Sequence, residues 1–386
     1  MATLYDEKND NGLIPTIDRV RSSSIRDIAD PILRQRVCGL IRSEPQFGRM
    51  SIRRVADMLG AGRFDAAIVI PARQELEFIG RAIEHAIRSG RATSARCALV
   101  IVVNNSADAT YKKACAALAR NKFPALVLDC RFDAAIADIG HARRFALDVA
   151  AACPGVRYLL STDADGAVAR DWTDRAIASL RHSDMVCGRV DTDPRDLAQL
   201  PDSVRICGEV EAQLRGALDA LWVAVNGPSS RGYTNRGSGA NMAMRAAAYR
   251  SVGGLPPVPS GEDRALHALF EVEGRSIRHD EGMCVTVSGR IHSTIGGGMA
   301  ACLASRAQND DPFVDSQLLT ARKLLHHAIL HRDGTGHMMQ AKGSPMRMSK
   351  ARLETIEACV LTQLLHAGAK AHDLSNDTAI DKQFCA

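Results

Sequence analysis

The stretch VRYLLSTDADG, residues 156–166, sets an apolar run against an abrupt polar turn holding two carboxylates, Asp163 and Asp165. The run reads as a strand, and a strand terminus carrying paired acids is where a sheet can present a divalent metal to a phosphorylated ligand. Alone, an Asp-x-Asp turn equally suits solvated acids or a cap on the following helix. Its weight depends on what surrounds it.

Upstream, residues 66–70 form a short apolar strand that Pro71 ends. Residues 77–89 place Phe78, Ile79, Ala82, Ile83, Ala86 and Ile87 on one helical face. A second strand over 98–103 is apolar enough to be buried on both sides. A helix over 108–120, a strand over 125–128 and a helix over 139–152 follow, and then the strand at 156–160. This rhythm implies right-handed crossovers and a mostly parallel sheet flanked by helices, with ligands bound beyond the carboxyl ends of the strands.

Downstream, a helix is expected over 171–182, a strand over 184–190, helix over most of 197–225 and a loop over 226–238. Two more helices are expected over 314–331 and 350–371. Ahead of the sheet, three- and four-residue apolar spacing predicts helices over 31–41 and 51–59. The resulting division is a helical N-terminal extension at 1–62, an α/β domain at 63–300 and a helical C-terminal extension at 301–386. The N-terminal segment suits a lid, a packing arm or a contact between copies of the chain.

The 386 residues are 46% hydrophobic and 24% charged, the balance of an ordinary globular protein. Aromatic content of 4% argues against stacking platforms for nucleic acid and against an aromatic-lined polysaccharide groove. The formal charge of +5 comes from dispersed basic residues. It fits an anionic small ligand or weak attraction to a membrane surface, and requires no nucleic acid. Eleven scattered Cys without a Cys-x-x-Cys pair read as apolar thiols in a reducing compartment. With no signal-like start and no run near ~18 apolar residues, the expectation is a cytoplasmic protein, at most peripheral to the inner face of a membrane.

The polar clusters after the strands are PARQE at 71–75, NNSADAT at 104–110, GHARR at 140–144 and the Asp163–Asp165 turn. Later come GANMAMR at 239–245, VGG at 252–254 and GED at 261–263. In this order and spacing the chain closely resembles the inverting, non-processive family 2 glycosyltransferases of the GT-A fold, over residues 64–299. The resemblance implies a nucleotide-diphospho-sugar-transferase-like sheet and an NDP-sugar donor. A hydroxyl on a lipid, saccharide or small metabolite would be the acceptor, and Mg²⁺ or Mn²⁺ the cofactor.

Carried over residue by residue, the resemblance makes Asp165 the direct metal ligand and gives Asp163 the ribose or a metal-bound water. It makes Asp263 the general base, with Glu262 orienting its loop or holding an acceptor hydroxyl. His292, in SGRIHS at 288–293, is a further metal-ligand candidate, although one among twelve His is as readily a surface residue. Arg143 would face the diphosphate, as a planar guanidinium suits phosphate oxygens. Pro71, Ala72, Arg73 and Glu75 would meet the nucleotide, with Ala164 beside them, and Asn241 would line the sugar pocket. Asn104 and Asn105 stand where many relatives carry acids that accept from uracil, so uridine is not specified.

For Asp263 a first-turn helical acid is the bland alternative. No Gln-x-x-Arg-Trp follows the acidic motif, so one sugar per encounter is expected. The competing readings are a sugar nucleotidyltransferase, whose Gly-rich, Arg-containing loop after the first strand is missing from residues 71–75, and a catalytically silent sugar-nucleotide or partner-binding protein.

Overall fold

The computed structural model describes residues 24–228, 238–291, 298–334 and 344–376. In chain order these form α1 (Pro31–Ser43), β1 (Met50–Asp57), β2 (Ala66–Ala72), α2 (Ile79–Arg91), β3 (Cys97–Asn104), α3 (Thr110–Asn121) and β4 (Ala125–Phe132). Then come α4 (Ile139–Ala152), β5 (Tyr158–Ser161), β6 (Ala167–Val168), α5 (Trp172–Leu180), β7 (Met185–Thr192), α6 (Pro194–Leu197), α7 (Asp202–Asn226) and β8 (Met242–Arg245). The last are α8 (Ala246–Ser251), α9 (Glu262–Val272), β9 (Ile277–Val287), α10 (Gly298–Ala307), α11 (Ala321–Arg332), α12 (Met348–His366) and α13 (Ala371–Asn376).

The nine strands make one sheet in the order β1-β4-β3-β2-β5-β8-β7-β9-β6. Its heart, β4-β3-β2-β5, is parallel, as the strand–helix rhythm requires. Alternate residues of β2 enter different cores: Ala67 and Val69 join α1, α4, α8 and α9, whereas Ile68 and Ile70 join α2, α3 and α5. Burying both faces is what fixes these strands, since each fully buried Val or Ile contributes roughly 1.5–3 kcal/mol.

Around this heart the sheet departs from the mostly parallel expectation. β1, β8 and β6 all run antiparallel to their neighbours, so the sheet is mixed. Nor does Pro71 end its strand: it lies inside β2, opposite Val102. The Val69 carbonyl accepts from Thr162, so the proline's missing N–H would have pointed past the end of the β5 ladder, where it costs no hydrogen bond.

The helix expected over 51–59 is instead β1, an edge strand antiparallel to β4. A bulge between Ile52 and Arg54 breaks the alternation and leaves Ile52 and Val55 three residues apart, which mimics helical spacing. The strand is further secured by Arg53 and Arg54, each 2.7 Å from the buried carboxylate of Asp129 on β4. Residues 50–57 of the N-terminal segment therefore belong to the central sheet.

At the other end, α7 packs with α11, α12 and α13 around Leu214, Leu218, Leu221, Leu325, Ala358 and Leu361, a third core separate from the sheet. No described helix is long and apolar enough to cross a membrane.

Candidate active site

Several chain segments meet beyond the carboxyl ends of β2, β3 and β5, and a buried arginine joins three of them. That residue is Arg143, on the second turn of α4. Asp138 caps this helix by accepting from the His141 amide at 2.9 Å. Gly140 lets the helix start lie against the Val258 carbonyl, where a Cβ would sit 1.9 Å from the oxygen. So seated, Arg143 points into the strand ends with a side chain only 2% exposed.

Its guanidinium spends its donors in four directions. Nε donates to Glu262 Oε1 at 3.0 Å, and Nη1 donates to Ser161 Oγ at 2.7 Å and to the Gly239 carbonyl at 2.8 Å. Nη2 donates to Asp163 Oδ1 at 2.6 Å. Burial alone would lower the Arg143 pKa, but Asp163 and Glu262 outweigh it and push it up. With these bonds made, Arg143 is a tie between the acids, its donors directed to protein partners. Its neighbour Arg144 is also internal, bonded to Asp148 and the Leu255 carbonyl.

Gly239 extends the same tie. A Cβ there would lie 2.7 Å from the Arg143 guanidinium, and the Gly239 amide donates to Asp263 Oδ2 at 2.8 Å. The other oxygen of Asp263 accepts from the Arg264 amide at 2.8 Å. Asp263 sits in the first turn of α9, after Gly261 in the left-handed conformation with φ 75°. Glu262 turns inward: burial raises its carboxyl pKa despite the opposing pull of Arg143.

On the near side, residues 162–166 form a turn in which the Gly166 amide donates to the Asp163 carbonyl. Asp163 remains 36% exposed beside Arg143. Asp165 lies deeper: burial first, and then the charge of Asp163, push its pKa up to about 7, with Glu75 adding and Arg290 opposing. Arg290, on the exit from β9, grips Glu75 with both nitrogens at 2.6 and 2.7 Å and stands 3.4 Å from Asp165. Burial nevertheless leaves the Glu75 pKa raised.

The remaining candidates fall into distinct places. Arg73 donates to the Ala137 carbonyl at 2.6 Å, while Pro71, Ala72 and Ala164 are buried, the two alanines in the α2 side of the core. Asn105 spends its amide on the backbone of Phe132, donating to the carbonyl and accepting from the amide. It clips β3 to β4. Asn241 is wholly buried, accepts from Trp172 Nε1 and gives both amide hydrogens to the carbonyls of Arg189 and Met283. It therefore fastens β7, β8 and β9 and does not line a sugar pocket. His292 lies outside the described residues, as does most of the loop expected over 226–238.

Among the described residues no three His, Cys, Asp or Glu side chains are arranged to enclose a metal ion. The donor set still fits a hard cation. The charge of Asp163 adds to burial in raising the carboxyl pKa of both Glu75 and Asp165, so a cation placed among these acids would be favoured. Mg²⁺-like ions characteristically use one or two carboxylates and take their other ligands from water and substrate phosphates. Arg290, Glu75 and Asp165 come together from widely separated segments. Arg290 lies in the SGRIHS run at 288–293, but only the fold reveals its partners.

Residues 67–220 match the family model described as Glycosyl transferase family 2. The match spans Glu75, Arg143, Asp163 and Asp165 and stops short of Asn241, Glu262 and Asp263. Among solved structures the chain is similar to mannosyltransferase PcManGT from Pyrobaculum calidifontis in complex with GDP-Man and Mn²⁺, at 14% identity and TM-score 0.44, over 81% of this chain and 79% of that one. It is also similar to S. aureus TarS 1-349 in complex with UDP-GlcNAc, at 14% identity and TM-score 0.42, over 83% and 77% of the two chains. No curated protein matches the chain.

Proposed function

We propose, for a chain whose residues 67–220 match the family model described as Glycosyl transferase family 2, that the site moves one sugar from a nucleoside-diphosphate sugar to an acceptor hydroxyl with inversion at the anomeric carbon. The observation that carries this reading is the Arg143 tie. It holds Asp163 of the first acidic motif and Glu262 of the second to one guanidinium, and through Gly239 it reaches Asp263. Two motifs separated by a hundred residues thus become the two sides of one site.

On the donor side, Mg²⁺ or Mn²⁺ would be held by Asp165 and by phosphate oxygens of the donor. When bound, it would stabilise as a Lewis acid the charge left on the departing diphosphate. Asp163, pinned by Arg143, holds its exposed oxygen toward the nucleotide side. Glu75 shares the Arg290 guanidinium and so shapes the charge that the diphosphate meets.

On the acceptor side, Asp263 takes the proton from the attacking hydroxyl. One backbone amide on each of its oxygens fixes the carboxylate plane, and each oxygen keeps a lone pair for the incoming proton. Glu262 acts through Arg143: it neutralises the buried guanidinium and keeps α9 in register with the strand ends. It is a positioning residue.

The test is release of nucleoside diphosphate from a panel of NDP-sugars in the presence of Mn²⁺. Wild type is expected to turn over at least one donor, and Asp165→Ala to lose about a hundredfold or more of that rate, the loss of a Lewis-acid contribution of a few kcal/mol. A wild-type protein inert toward the whole panel, or an Asp165→Ala variant as fast as wild type, defeats the reading.

A further inference from the structure

Two arginines serve the acidic strand ends, and their settings differ. Arg143 is sealed in the core with four partners. Arg290 sits at the rim, 29% exposed, with its guanidinium 4.8 Å above the Phe78 ring. Its backbone is anchored: the Gly289 amide donates to Asp196 Oδ2 at 2.8 Å, and the Arg290 amide donates to Ser288 Oγ. A Cβ on Gly289 would stand 2.6 Å from Asp196 Cβ, so the turn is packed close against α6. The anchored turn sends a long, half-solvated side chain across to Glu75, 215 residues away in sequence, and to Asp165.

We propose that Arg290 is the displaceable counter-cation of the acidic cluster. In the donor-free protein it neutralises Glu75 and Asp165 and so competes with a divalent metal, which loads well only together with a diphosphate that takes the guanidinium over. The inference rests on the glycosyl-transfer reading of the same site.

The physical case is one of charge and reach. A guanidinium 3.4 Å from a carboxylate oxygen repels a dication seeking that oxygen, and it does so at the edge of a water-poor site where the interaction is poorly screened. A diphosphate reverses the balance. It brings negative charge for both cations and offers Arg290 the bidentate geometry that Glu75 supplies in its absence. Arg290 can make this exchange because its terminal nitrogens serve carboxylates at the rim, where the side chain is partly exposed; Arg143, sealed among four partners, cannot.

Mn²⁺ binding, read by electron paramagnetic resonance of the free ion and by calorimetry, tests this on Arg290→Gln. For Mn²⁺ alone the variant is expected to bind about tenfold more tightly than wild type, whereas Mn²⁺ uptake with UDP or GDP present is expected to weaken. Arg205→Gln removes the same charge from α7, where its partners Asp202 and Glu209 lie on its own helix, and is expected to leave Mn²⁺ affinity within about twofold. Should Arg290→Gln fail to fold, Arg290→Lys carries the test with a smaller tightening, since the ammonium keeps the charge but loses the fork.

Equal Mn²⁺ affinity in wild type and both Arg290 variants overturns the inference; if Mn²⁺ still loads with nucleotide and Asp165→Asn abolishes that loading, the glycosyl-transfer reading survives. Mn²⁺ bound by none of the proteins, with or without nucleotide, overturns both.

Discussion

Replacing Arg143 with Met is expected to cost about 3–5 kcal/mol of unfolding free energy, because removing one partner leaves Glu262 as an uncompensated buried carboxylate. Asp163, being partly solvated, adds less. The same change unties the two acidic motifs, so donor turnover should fall below detection even where the variant remains folded. Denaturant unfolding measures the first effect, and NDP release below the transition measures the second. The double variant Arg143→Met/Glu262→Gln separates charge burial from lost packing: with the acid neutralised, a good part of the stability should return, while activity should not. An Arg143→Met protein as stable as wild type would show that the guanidinium contributes no net compensation.

Asp263→Asn is expected to reduce kcat by roughly a hundred- to ten-thousand-fold, the range for loss of a positioned general base. The amide oxygen of Asn can still accept from the Gly239 or Arg264 amide, so the loop geometry should persist. Donor affinity with Mn²⁺ present should stay within about threefold of wild type, since the substitution touches the acceptor side alone. Calorimetry alongside turnover reads both quantities. Lost donor affinity would move Asp263 from base to nucleotide or metal site, and unchanged kcat would leave it a first-turn helical acid.

Much of this architecture was legible in the sequence, for an identifiable reason. The strands β2, β3, β4 and β5 are apolar on both faces because helices cover both, and such runs announce themselves. The bounds expected for α4 coincide with those observed, 139 to 152. The edges were harder to read. β1 carries a bulge that imitates helical spacing, and β9 was missed because Arg278, His279, Asp280 and Glu281 interrupt its apolar pattern. The paired acids could be found because motif order survives in one dimension.

Direction in space could not be read the same way. Arg143 and Arg290 are both arginines beside polar clusters, and nothing local says that the first turns inward to four partners while the second reaches across to Glu75. Asn105 and Asn241 likewise looked like ligand contacts, since a polar side chain at a strand end suggests a site. Their amides are consumed by the backbone of Phe132 and by the carbonyls of Arg189 and Met283, partners that only tertiary structure supplies.

On the proposed reading a fixed carboxylate activates the acceptor on the face opposite a diphosphate leaving group, so the anomeric centre inverts. Proton NMR of the sugar first released from a turned-over NDP-sugar, recorded before mutarotation, reads this stereochemistry, with water standing in for the acceptor. Release is expected in the anomeric configuration opposite to that of the donor. Release in the donor's own configuration would contradict it.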